Sequence, residues 1–378
     1  MIYADNAATT PVSPEVAAVV NDYMLHWFGN PSSHHMAGRI AKEAIYNTER
    51  IVRKYFDAAK YGVVFTSGAT ESDNMAINFA IKAGEDSGRR NIVISAFEHP
   101  AVREACMNAK KYGFSVTEVY PKRNGVIDPE DIERAIKNDT ILVSIMAVNN
   151  ELGTEQPIAE IGRICKKKCV YFHTDATQAL TKNGFDVRWN CVDIVSCTAH
   201  KIYGPKGVGL FLYNGTIRDM PNMMYGGHQQ NGVRPGTENV PGIAGFGVAL
   251  NELKNEGMSM GGLVAKGSFV ESLRGWDYPH SFNAGSDLTN KGIVSLRVNG
   301  FKGADLVLLL GIIKDVYVSS GSACSSGTGE ASRSLKAIGL SDKEASETIR
   351  VSFGKYNTAE DGKKTAQALM SLVEDMKH

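Results

Sequence analysis

From about residue 60 to residue 213 the chain alternates short β-branched runs with stretches of helical period, and that alternation constrains the fold more than any other feature. Strands separated by helices pair in parallel and are covered on both faces, which is the α/β arrangement. The runs read as strands are GVVFTS at 62–67, NIVIS at 91–95, SVTEVY at 115–120, TILVSIMAV at 140–148, VYFHT at 170–174, DIVSC at 193–197 and GVGLFLY at 207–213. Helices are predicted for Thr70 to Ala83, Pro100 to Tyr112 and Pro129 to Ile136, each opened by polar or proline residues. After the Gly-rich stretch 225–245 the alternation weakens, and a strand at GIVSLRV, a helix at ADLVLLLGII and a strand at IRVSF follow.

A chain of 378 residues exceeds what one hydrophobic core usually serves, so two domains are expected. The larger is placed at 16–250, and the smaller at 1–15 with 251–378. Forty-one basic residues balance forty-one acidic ones, so no net field draws nucleic acid or an anionic membrane. No apolar run approaches the ~18 residues of a membrane span, and MIYADNAATT lacks the parts of a signal peptide. A cytoplasmic protein is expected. Six cysteines are too sparse for a disulfide framework.

The most informative segment is HTDATQ at 173–178, followed by Lys201 in TAHKIYGPKG. Asp175 ends a buried strand, where a carboxylate is costly unless a cation or several donors face it. Such an acid could be a salt-bridged residue, or it could hold a pyridine ring nitrogen protonated and make the ring an electron sink. Lys201, after an apolar strand, is either a surface lysine or an amine for an aldehyde cofactor, with Lys206 as its rival. TSGATESDN at 66–74 reads as strand, turn and helix, an arrangement that aims backbone N–H groups at an anion, with Thr198 and His200 as further donors. His99, just before Pro100, is a helix cap or a ring that stacks and moves protons. Arg350 is a structural ion pair or a fork for a carboxylate.

Cys324, in SSGSACSSGTG, sits among residues too polar for a buried thiol, whereas Cys106, Cys191 and Cys197 read as buried structural cysteines. Cys165 and Cys169 lie four apart on a predicted helix, but no second pair or His cluster completes a metal site, and the KKK run between them reads as a solvated face. No metal is expected.

YADNAATTP, FGNPSS, FTSGATESDN, EHPAV, VNNELG, HTDATQ, HKIYGPKG, RPGTENV and SSGSAC occur in this order along the whole chain. Together they closely resemble the NifS/IscS-like cysteine desulfurases, within the fold-type I, aminotransferase class V enzymes. The resemblance implies the PLP-dependent transferase fold, with a large mainly parallel-sheet domain and a smaller α+β domain. It also implies pyridoxal 5'-phosphate as cofactor. Lys201 would bind its aldehyde covalently, Asp175 would pair with the pyridine nitrogen, and Gln178 and Asn149 would lie at the phenolic oxygen. His99 would stack on the ring, and Ala69, Thr70, Thr198 and His200 would hold the phosphate, with Thr237 reaching in from the second subunit of a homodimer. Arg350 and Asn149 would bind the carboxylate of L-cysteine, and Cys324 would take its sulfur as a persulfide for a protein acceptor whose identity the sequence does not give.

Selenocysteine cleavage and transamination are the alternatives on the same cofactor, and a non-catalytic sulfur-relay scaffold is the alternative of another class. A nucleotide-binding oxidoreductase is disfavoured because no glycine fingerprint follows an early strand. The sequence departs from its relatives at His228, where a third glycine is usual, at Asn231, where arginine is frequent, and at Ala331, where proline is usual. It stops at His378, short of the tail by which some relatives dock a scaffold protein, so that partner is not assumed.

Overall fold

The computed structural model describes residues 1–180, 184–218, 220–256, 260–284, 292–321 and 332–377. Cys324 and Ala331 lie outside these described residues. The chain opens with strand β1 (Ile2–Tyr3) and helices α1 (Pro14–Leu25) and α2 (Met36–Tyr55). The alternating region follows as β2 (Tyr61–Thr66), α3 (Ala69–Ser87), β3 (Asn91–Ser95), α4 (Pro100–Ala109), β4 (Ser115–Val119), α5 (Pro129–Ala135), β5 (Thr140–Ser144), α6 (Ile158–Lys167), β6 (Tyr171–Asp175), β7 (Ile194–Thr198) and β8 (Gly209–Asn214). The remainder contributes α7 (Val240–Glu256), α8 (Met260–Leu273), β9 (His280–Phe282), β10 (Ile293–Val298), α9 (Gly303–Lys314), β11 (Val316–Tyr317), α10 (Arg333–Ala337), α11 (Asp342–Ser346), β12 (Thr348–Ser352) and α12 (Ala359–Asp375).

Seven strands form one sheet in the order β2-β8-β7-β6-β5-β3-β4, and only β8 runs antiparallel to its neighbours. Every residue of β3, β5 and β7 is buried, as continuous apolar runs require when helices cover both faces. The predicted strand 140–148 is regular only to Ser144; the Ile145 and Ala147 N–H groups still donate to the carbonyls of His173 and Asp175, and Met146 and Val148 line a cleft. β7 and β8 follow one another in the chain and pair directly as antiparallel neighbours, with only a 3-10 turn and a loop between them.

A second, three-stranded antiparallel sheet, β12-β10-β9, is backed by α8, α9 and α12 around Leu296, Ile349, Phe353, Phe269 and Leu369. Burying each such side chain contributes roughly 1.5–3 kcal/mol, so this cluster is a core of its own. The N-terminal segment belongs with it locally: β1 pairs β11 in parallel, and Asp5 bridges Ser352. No described helix is long and apolar enough to cross a membrane.

Candidate active site at the carboxyl ends of the strands

In open parallel sheets the carboxyl ends of the strands are where ligands bind, because loops diverge there and helix N-termini face in. Here a cleft of about 500 Å³ opens at that edge. β6 ends in it with Asp175, and β7 runs through Thr198 into a 3-10 turn, Ala199–Lys201. Asp175 is buried, with one carboxylate oxygen accepting the Thr177 N–H at 2.8 Å.

Lys201 is half-buried, and its Nζ donates to the carbonyls of Ala7 and Ala8 at 2.6 and 2.7 Å. Gln178 Nε2 donates to the same Ala7 carbonyl at 2.9 Å. Thr9 meets His200 Nδ1 at 3.0 Å, and the Thr10 hydroxyl donates to the His200 carbonyl at 2.9 Å. The opening segment ADNAATT is thus a wall of the cleft, a role the sequence did not reveal because it has no periodicity to read. Lys206 lines the same cleft but is exposed, so of the two rival lysines Lys201 is the one partly withdrawn from water.

Helix α3 begins at Ala69 with no side-chain cap, behind Gly68, where an added Cβ would meet no atom within 4 Å. Its first turn, with Ala69 and Thr70, therefore presents backbone donors to the cleft at the positive end of a nineteen-residue dipole. Thr198 lies nearby, though its hydroxyl donates to the Val208 carbonyl at 2.9 Å. His200 is pushed down to about 4 by burial and by the charges of Lys201 and Lys206, so it is neutral at pH 7.

His99 caps α4: its Nδ1 accepts the Ala101 N–H at 3.2 Å. That bond puts the ring proton on Nε2. Burial lowers its pKa, Asp175 and Glu151 oppose the shift, and Lys201 adds to it.

Asn149 does not reach the cleft. Its amide donates toward the Phe97 carbonyl at 3.2 Å and Ser334 Oγ at 3.3 Å, while its oxygen accepts the N–H groups of Glu151 and Leu152. The next residue, Asn150, lines the cleft, and its carbonyl accepts from Arg350 at 2.9 Å. Arg350 is 2% exposed, pairs with Asp5 at 2.8 Å, and leaves its buried Nε without a hydrogen-bond partner. Thr237 is exposed and lies off the cleft of its own chain.

Three further buried groups stand behind Asp175 that sequence reading did not single out. His173 is held between Ser144 and Ser196 at 2.8 and 2.9 Å, with Asp73 at 3.6 Å from its Nε2. Burial pushes His173 down to about 3, and pushes Asp73 well up, as does the nearby charge of Asp175. Glu98 accepts from Ser95 Oγ and from the Met146 N–H at 2.9 Å, and burial raises it to about 8. His173 and Glu98 are therefore neutral near pH 7, and burial disfavours the charged form of Asp73.

Cys106 and Cys197 are buried, as expected. Cys191 is not: it is half-buried, because it closes a surface turn before β7 rather than packing in the core.

The aminotransferase class-V family model matches residues 2–364. Cysteine desulfurase IscS of Methanosarcina thermophila is 36% identical, covering 100% of this chain and 93% of its own length. A solved NifS-like protein superposes with a TM-score of 0.88 at 31% identity over 99% of both chains. A structure described as SspA in complex with cysteine superposes with a TM-score of 0.83 at 34% identity, covering 95% of this chain and 100% of that one. The chain belongs to the aminotransferase class-V family, and within it to the NifS/IscS-like cysteine desulfurases.

Proposed function

We propose that this protein removes sulfur from L-cysteine with the help of pyridoxal phosphate, leaving L-alanine and a persulfide on Cys324. The observation that carries the reading is one cleft in which a half-buried lysine and a buried carboxylate, from the ends of neighbouring parallel strands, face an uncapped helix N-terminus. A phosphorylated pyridine aldehyde needs those three features: an amine, an anion for the ring nitrogen, and donors for the phosphate. Relatives named cysteine desulfurases, and a neighbour described with cysteine, supply the substrate class.

When bound, the cofactor supplies withdrawal of electrons from the substrate α-carbon. Lys201 Nζ would hold the aldehyde and, once displaced by the substrate amine, would be placed to take the α-proton, while Asp175 would face the ring nitrogen and Gln178 the phenolic oxygen. Ala69 and Thr70, with His200 and Thr198, hold the phosphate. Arg350 binds the substrate carboxylate, and the asparagine beside it is Asn150 rather than Asn149. His99 stacks as a neutral ring whose Nε2–H donates, since gaining a proton at Nδ1 would break its cap.

Cys324, as thiolate, attacks the substrate sulfur: an S–S bond forms, the carbon–sulfur bond breaks, and the electron pair stays on carbon to be protonated. Thr237 serves the second subunit of a homodimer. Exposed Trp27, Phe28, Met36 and Tyr225 support a covered surface of that kind. A protein acceptor then takes the persulfide in the cytoplasm.

Alanine release from L-cysteine and persulfide on the protein test the proposal together. Cys324→Ala is expected to keep the cofactor's colour and lose the persulfide. Sulfide production undiminished in that variant, or a wild-type protein that stays colourless with pyridoxal phosphate, would overturn it.

A further inference from the structure

At the opposite edge of the large sheet, before the amino ends of β6 and β7, lies a second pocket of about 690 Å³. Its walls include two thiols, Cys169 and Cys191, and three cations, Lys60, Lys166 and Arg188. The thiols occupy the same local structure twice. Val170 N–H returns to Cys165 O and Cys169 N–H to Lys166 O; in the other, Val192 N–H returns to Val187 O and Cys191 N–H to Arg188 O. In each turn the cysteine has a left-handed backbone, with φ of 54° and 50°.

Glycine is the ordinary occupant of that position, because any Cβ there crowds the backbone. Two cysteines in the glycine slot of two equivalent turns is a costly choice with no packing gain, since Cys169 is exposed and Cys191 half-buried. Cys169 lies just before β6 and Cys191 just before β7, which are neighbouring parallel strands, so the two turns open at the same end of the sheet and onto the same pocket.

The electrostatics favour an anion. Arg188 is paired with Asp57, but among the described residues neither Lys60 nor Lys166 makes a salt bridge. Asp193, the acid on the wall, has its oxygens turned to the Phe172 N–H and the Asn214 amide. The Cys191 Sγ–H leans on the Arg188 carbonyl at 3.6 Å, which leaves Cys169 as the more accessible thiol.

We propose that this pocket is a thiol-exchange site for small anionic disulfides, independent of the activity argued above. Cys169 gives its proton to solvent and attacks one sulfur of the incoming disulfide; a new S–S bond forms, the old one breaks, and the departing thiolate takes a proton. Cys191 then attacks the mixed disulfide at Cys169 in the same way, releasing the second thiol and leaving a Cys169–Cys191 disulfide. Two cysteines are oxidised and one small disulfide is reduced to two thiols.

The test follows modification site by site, by peptide mapping of the full-length, cofactor-loaded protein exposed to oxidised glutathione or to neutral hydroxyethyl disulfide. With glutathione disulfide, Cys169 and Cys191 are expected to lose two hydrogens together, and Cys191→Ser to stop at a glutathionyl group on Cys169. Lys60→Ala with Lys166→Ala is expected to slow the reaction with glutathione disulfide roughly tenfold, and to leave the neutral reagent within about twofold. Equal slowing of both reagents, no slowing of either, or modification confined to other thiols would overturn the proposal.

Discussion

At their carboxyl ends β6 and β7 deliver Asp175, Thr198 and Lys201 into a cleft where acids and bases are withdrawn from water and held by named partners. At their amino ends the same strands are preceded by turns that leave thiols and lysines facing solvent. Burial at the first end makes charge expensive, so Glu98 and His173 are kept neutral near pH 7 and the charged form of Asp73 is disfavoured. Exposure at the second end leaves charges free to attract a ligand but not to shift its chemistry. Substitutions at the two ends should therefore fail differently.

The largest expected effect is at the buried end. Asp175→Ala should lower turnover on the order of 10³-fold by removing the carboxylate proposed to face the cofactor's ring nitrogen; steady-state kinetics on cofactor-saturated protein measures it. Arg350→Ala should come next. It should raise KM for L-cysteine about 10- to 100-fold, the worth of charge-assisted hydrogen bonds, with a smaller change in kcat.

At the amino end, Gly162 of α6 packs against the backbone of Asn190, where an added Cβ would clash. Gly162→Ala should cost about 1–3 kcal/mol in denaturant unfolding and leave the cofactor spectrum of the folded protein unchanged. A spectral change there would erase the distinction between the ends.

The smallest effect is a slope. Glu98, raised from 4.5 to about 8 by burial, binds a proton in the folded state that the unfolded chain has released. Its contribution is thus full below about pH 4.5, declines by about 1.4 kcal/mol per pH unit as pH rises, and is gone above about pH 8. Glu98→Gln should flatten the fall in stability over that window, read by chemical denaturation at pH 5, 7 and 9.

All seven strands of the large sheet were legible within a few residues, because strands buried on both faces leave continuous β-branched runs. Other elements carried no such signal. Two-residue β1 and β11 are too short for periodicity, and the three-residue β9 depends on its partner β10.

At the site, adjacent Asn149 and Asn150 could not be told apart in VNNELG, since which one faces the cleft depends on the turn that points the first inward to buried hydrogen-bond partners. The wall made by Ala7 and Ala8 carbonyls was hidden for a related reason: main-chain acceptors leave no residue-type trace. The left-handed turns that carry Cys169 and Cys191 were equally silent, because sequence suggests such turns through glycine and here cysteine stands in its place.

Lys201, and not the exposed Lys206, is proposed as the amine that takes the aldehyde in the cleft with Asp175. Borohydride reduction of the protein loaded with pyridoxal phosphate, followed by peptide mapping, tests it directly. The pyridoxyl mass is expected on Lys201 alone; a label on Lys206, or no stable label on either lysine, would overturn the assignment.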